Sequence, residues 1–299
     1  MRSLIKSFAG IFLAFALSGA HAEDLLKPFV LGSKGPGDLA QKVASTEKAL
    51  AAQGFVLAGS YTPFPDTTIL VVTSDALKQN AAQSDMGGFG AMERVSVDKV
   101  GNEIQVSYIN PVYMANAYRM KGDLKDVAAK MQAALGNMQE FGAKGLSASD
   151  LRDYHYMFGM EYFTDPSTLA QYDSYAAAVK GVEAGLAAGK GGVTKVYRID
   201  IPGKQETVFG VAMKGTGDNK YMDDHYIMNE IDFKNLKSSA HLPYEILVSG
   251  NKVYALYARF RIAIDFPDLS MMGSHSFVNI MSSPEAIRKA LTLAAGGKI

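Results

Sequence analysis

The chain has 299 residues, 30 lysines and arginines against 30 aspartates and glutamates, and no cysteine. That length can bury the core of one large or two medium domains, and without cysteine no disulfide staples the fold, so apolar burial must hold it together. Balanced charge with no concentrated run of Lys and Arg argues against nucleic acid or an anionic membrane as the main partner, because both demand a basic surface.

Residues 1–22 read as a secretory signal. Arg2 and Lys6 precede an apolar run over residues 8–17, and Ser18, Gly19, Ala20 and Ala22 supply the small residues that signal peptidase accepts. About ten apolar residues are too few for a membrane span, which takes roughly 20 in a helix. Cleavage is expected after Ala22, and with no cysteine beyond it a lipoprotein anchor has no attachment atom. The mature chain is therefore expected in a bacterial periplasm, with no membrane span after signal cleavage.

The rest of the chain repeats itself. A helix is expected over residues 43–52, with Val43, Glu47, Leu50, Ala51 and Ala52 matched later by Val179, Glu183, Leu186, Ala187 and Ala188. Each helix leads into two β-rich runs, residues 55–61 and 67–73 in the first copy, 193–201 and 207–213 in the second. Alternating β-branched residues then flank Gly101-Asn102 in one copy and Gly250-Asn251 in the other, a hairpin signature. Closing helices follow over residues 127–135 and 287–295, the second read as starting at Ser283, Pro284 and Glu285 with Ser283 as its cap. This order predicts an α+β protein of two tandem two-layer domains, residues 38–137 and 173–297, each a mainly antiparallel sheet with helices on one face. Between them, residues 138–172 are too aromatic for a flexible linker and are expected to pack against both domains, with Ser147 and Ser149 capping a short helix.

The hairpin stretch over residues 94–115, above all Tyr108, Asn110, Pro111 and Tyr113, resembles the strand-turn-strand and Tyr-x-x-Pro pattern of the bacterial family known as domain of unknown function 302. Leu242-Pro243-Tyr244 resembles the Leu-Pro start of the same strand in that family. The second copy departs after Tyr257, where Ala258-Arg259-Phe260 replaces the Asn-Pro step, and the first copy lacks the Leu-Pro. The resemblance implies a two-layer α+β unit in two copies and carries no catalytic residues.

Candidate chemistry centres on histidine, methionine and tyrosine. His155 lies near Met157 and Met160, His225 near Met222 and Met228, and His275 near Met271 and Met272. Thioether with imidazole suits copper, whereas methionine is equally a flexible core filler. Asp223, Asp224 and His225 form the densest titratable run, readable as an acid–base or cation site or as the acidic first turn of a helix. Ser45 and Lys48 spell Ser-x-x-Lys without its companion motifs and read as a solvated helix face. Gly189 to Gly192 reads as a helix stop, while residues 85–90 could form a mobile rim to a cleft. The leading expectation is a non-enzymatic periplasmic binding or accessory protein. Its small, mostly apolar ligand would sit in an inter-domain groove lined by Tyr154, His155, Tyr156, Tyr221, His225 and Tyr226. The alternatives are a copper-binding protein using His225, Met222, Met228, His155, Met157 and Met160, and an enzyme built on Asp223, Asp224 and His225.

Overall fold

The computed structural model describes residues 24–299, so the expected signal sequence lies outside the described residues. The first half runs β1 (Phe29–Pro36), α1 (Leu39–Ala52), β2 (Val56–Phe64), β3 (Thr67–Thr73), α2 (Asp75–Gln83), β4 (Glu93–Val100), β5 (Glu103–Ile109), α3 (Pro111–Ala117), α4 (Lys125–Leu135) and β6 (Gln139–Phe141). After α5 (Ala148–Arg152) the second half runs β7 (Ser167–Gln171), α6 (Tyr175–Ala187), β8 (Val193–Asp200), β9 (Glu206–Met213), α7 (Asp224–Ile231), β10 (Tyr244–Ser249), β11 (Lys252–Ala255), α8 (Ala258–Asp265) and α9 (Ser283–Ala294).

Two antiparallel sheets result, ordered β2-β3-β4-β5-β1-β6 and β8-β9-β10-β11-β7. Apart from β6 the two orders are the same, element for element. Gly101 and Gly250 occupy equivalent turns, between β4 and β5 and between β10 and β11, with φ of 61° and 57°. That left-handed backbone is what glycine accepts without cost. Each sheet also contains a strand outside the bounds that pattern alone suggests. β1 precedes residue 38, and β6 and β7 fall within residues 138–172; all three are short on alternation, β1 carrying two glycines and a proline, β6 spanning 3 residues and β7 spanning 5.

Helix ends follow local chemistry with two corrections, at Ser149 and Ser283. Asp38, Ser74, Ser147 and Ser174 accept hydrogen bonds from backbone N–H groups of the first turns of α1, α2, α5 and α6. Ser149 sits inside α5, its hydroxyl 2.9 Å from that of Ser147. Ser283 does not cap α9: the helix begins at Ser283, its cap position is Ser282, and the buried Ser283 hydroxyl has no partner.

Strand alternation explains how the halves join. In the first sheet Val95, Val97, Val106 and Tyr108 point to the helix side, where the Tyr108 hydroxyl donates to Gly136 O at the end of α4. Arg94, Ser96, Asp98, Gln105 and Ser107 share the other face, and all five are buried. What covers them is the second copy. The turn Ser239–His241, from the insert between β9 and β10, packs on β3, β4 and β5, while the turn Gly87–Gly90, from the equivalent first insert, packs on β9 and β10. The exchange is reciprocal. Residues 87–90 are buried, so they form a tight inter-sheet contact in place of the expected mobile rim. A Cβ on Gly88 would come within 2.4 Å of Leu247 Cδ1.

The aromatic connection does pack on both halves. Phe163 stacks on Tyr118 of the first half at 5.3 Å and lies 6.2 Å from Phe260 of the second.

Candidate functional site

The seam between the sheets is held by charge. Arg94 Nη1 donates to Glu245 Oε1 at 2.7 Å across the junction, and Arg261 Nε donates to Glu245 Oε2 at 3.3 Å. Arg261 also pairs with Asp265, giving two guanidiniums against two carboxylates, all four essentially buried. His241 Nδ1 lies 2.6 Å from Asp265 Oδ2 and 2.9 Å from Arg261 Nη1, and its Nε2 lies 3.1 Å from the Tyr244 hydroxyl. This Tyr–His–Asp chain resembles a proton relay in its order. His241 and Asp265 are both fully buried, so the chain lies inside the seam, away from solvent.

Next to this network lies a cleft of about 440 Å³. Phe141 and Gly142, at the edge strand β6, line it from the first half; residues 231–236, starting at the last residue of α7, and the segment after α8 line it from the second. Its walls are pinned across the junction. Gln105 of β5 grips one wall at two points, its Nε2 donating to Asn235 O at 2.9 Å and its Oε1 accepting from Lys237 N at 3.1 Å. Ser239 Oγ donates to Asp98 Oδ1 at 2.7 Å, fixing the same wall to β4. Asp268, on the opposite wall, accepts from Lys144 N at 2.8 Å. Two floor rings, Phe141 and Phe266, rest on the buried Phe29 with centroids 5.6 and 6.0 Å away. At the mouth Phe233 and His275 stack at 4.5 Å, nearly parallel at 20°.

Two carboxylates near the cleft, Asp232 and Asp98, are held towards their neutral form. Burial pushes Asp232 up to about 8, although the Ser238 backbone N–H and Lys237 pull it back. Asp98 is raised by the same burial against the hydroxyls of Thr67 and Ser239. At the start of β4, burial lifts Glu93 to about 8 against the pull of Arg94.

No protein-family model, curated protein or solved structure matches the chain.

Most residues singled out from the sequence lie away from this cleft. The Tyr154 hydroxyl donates to Ala263 O and that of Tyr156 to Leu269 O, tying the connection to α8 and the segment after it. His155 packs against Tyr162 at 4.4 Å. Tyr221 and Tyr226 meet edge to face at 5.5 Å, with the Lys220 ammonium over both rings. Asp223, Asp224 and His225 point three ways. Asp223 caps α7 through Tyr226 N at 2.9 Å; Asp224 is buried, accepting from Tyr61 and from Met213 N; His225 is exposed against Phe64. Met222 and Met228 are buried in the core while His225 faces solvent, so this trio does not converge. Met157 is exposed and Met160 half-buried beside Tyr156 and Phe277. Among the described residues no group of three or more His, Cys, Asp or Glu is placed to hold a metal ion.

Of the histidine clusters, His275 alone reaches the cleft. The cleft residues Phe233, Phe266 and Leu269 gave no motif. Their one sequence signal is an Asp-Phe pair repeated at 232–233 and 265–266, each at a helix C-terminus.

Proposed function

We propose that the chain is an exported, non-enzymatic protein that binds a small, mostly apolar molecule in the cleft between its two halves. The observation that carries this reading is a cleft of about 440 Å³ whose lining comes from both halves of the chain and whose walls are cross-linked over the junction. Small-molecule pockets of this size favour domain junctions, apolar linings and a few polar groups at the rim. Rigid walls also lower the ordering cost of binding. The signal sequence read over residues 1–22 supports a periplasmic location for the mature protein, and the hairpin stretches support two copies of a unit resembling the domain of unknown function 302 pattern.

The test is a thermal-shift screen of small apolar compounds on the mature chain. A ligand at 100 times its Kd should add about 2.7 kcal/mol of stability, and Ser274→Phe, which fills the cleft from an exposed position, should abolish the shift. If no compound shifts the Tm, or if Ser274→Phe leaves every shift unchanged, the cleft is not the site. N-terminal sequencing of protein from the periplasmic fraction should begin at Glu23.

A further inference from the structure

Four rings from separate stretches of chain line this one cleft: Phe141, Phe233, Phe266 and His275. They form two levels. Phe141 and Phe266 are buried and backed by Phe29, and His241 meets Phe266 edge-on at 5.3 Å, so the floor rings have fixed orientations. Phe233 and His275 stand at the solvent side, Phe233 46% exposed.

His275 sits at φ 53°, a left-handed backbone that Met86, Arg119 and Leu124 also adopt among the described non-glycine residues and that histidine accepts more readily than most. Nothing in the core requires a ring there, since the side chain is exposed and its partner is the equally accessible Phe233. Its ring stands at the mouth of a ring-floored cleft, free to meet what the cleft holds. Serines 270 and 274 with Asp268 bring hydrogen-bonding groups to the same opening. An acyl chain of similar volume fits a narrow aliphatic channel and gains nothing from ring orientation. A flat ring gains both area and edge or face contacts, worth about 0.5–1.5 kcal/mol for each ring partner.

From these features we infer that the cleft selects an aromatic ring system carrying a hydrogen-bonding substituent, in preference to an acyl chain of equal size. This rests on the cleft-binding reading above and specifies the ligand class.

The chain has no tryptophan, so a naphthyl probe excited beyond the tyrosine band reports on itself alone. The experiment titrates 2-naphthol into the mature protein, with indole and octanoate as competitors, and repeats the titration with Phe233→Ala and His275→Gly. The second variant removes the ring while giving the left-handed backbone the residue that suits it, so the fold is retained or stabilised. Saturable 2-naphthol binding, displaced by indole and not by octanoate, and weakened about threefold to tenfold in each variant, is the expected result. Octanoate binding that Ser274→Phe removes, with no ring probe bound, would overturn the ring preference and leave the binding reading intact. Ring binding unaffected in both variants would overturn it as well. Failure of both probe classes, together with an unproductive thermal-shift screen, would remove the binding reading itself.

Discussion

Replacing Arg94 with methionine tests whether the seam is held by its buried charges. Arg94 is 4% exposed and gives Glu245 its shortest contact, 2.7 Å, with longer contacts to the carbonyls of His241 and Pro243. Removing one member of a buried pair strands the other and costs about 3–5 kcal/mol. Glu245 keeps Arg261 at 3.3 Å, so the loss should fall at the lower end, about 3 kcal/mol. A chain of this size should then lose roughly 6 °C or more in Tm. Burial lifts Glu245 to about 7 even with Arg94 pulling it down, so without Arg94 its carboxyl rises further. The variant can keep Glu245 neutral at low pH and cannot at high pH, which makes the cost larger near pH 8 than near pH 6. Urea unfolding followed by circular dichroism at both pH values measures this. The double variant Arg94→Met/Glu245→Gln should cost less than the sum of the singles by about 1 kcal/mol or more. A single-variant cost under about 1 kcal/mol, or an additive double, would show that the seam is held by shape alone.

Other outcomes follow from the same contacts. The wild-type protein should melt higher near pH 5.5 than near pH 8.5. Glu93 goes from an ordinary 4.5 to about 8 on burial, so its contribution is complete below the unfolded value and is lost as pH climbs through the folded one. Asp232 and Asp224, raised from 3.8 to about 8 and about 7, act in the same direction, and Glu93→Gln should flatten the slope. Gly185→Ala should cost well over 1 kcal/mol, because its Cβ would sit 1.9 Å from Ala294 O where α6 crosses α9. Gly250→Ala, in open space at φ 57°, should cost about 1 kcal/mol from backbone strain alone, as chemical denaturation can show. Asp223→Ala should lose about 1 kcal/mol as a helix cap is removed, whereas His225→Ala should stay within about 0.5 kcal/mol.

The duplication was legible because each copy writes the same punctuation: a helix with an Ala-Ala end, two β-branched runs, and a Gly-Asn turn. Strands β1 and β7 were not, since 5 residues reading Ser-Thr-Leu-Ala-Gln carry no period that a loop could not also carry. The seam was hidden for a more interesting reason. Arg94, Ser96 and Asp98 alternate with Val95 and Val97, a pattern that in an isolated sheet means one face in water. Here the polar face is buried by the other copy, and alternation cannot tell water from a polar partner. His241 stood out least among the histidines beyond residue 22, having no methionine beside it, yet it is the one that is fully buried and doubly bonded. Proximity in sequence favoured Asp223, Asp224 and His225, but successive residues on a helix point about 100° apart and so diverge.

Two related halves that exchange inserts would be expected to make two equivalent clefts, and here the inserts themselves break the equivalence. The first, residues 74–92, ends in the turn Gly87–Gly90, whose small residues let the chain lie flat on the second sheet, Gly88 close against Leu247. The second, residues 214–243, is longer and carries α7 and the bulky run Phe233, Lys234, Asn235 and Leu236 before it reaches the first sheet. Those extra residues cannot lie flat. They stand off as a wall, and Gln105 and Asp98 on the first sheet fix that wall in place by hydrogen bonds to Asn235, Lys237 and Ser239. Strand β6, which has no counterpart in the second sheet, closes the opposite side with Phe141. The cleft therefore lies where the two copies differ most, while the seam beside it uses the faces they share.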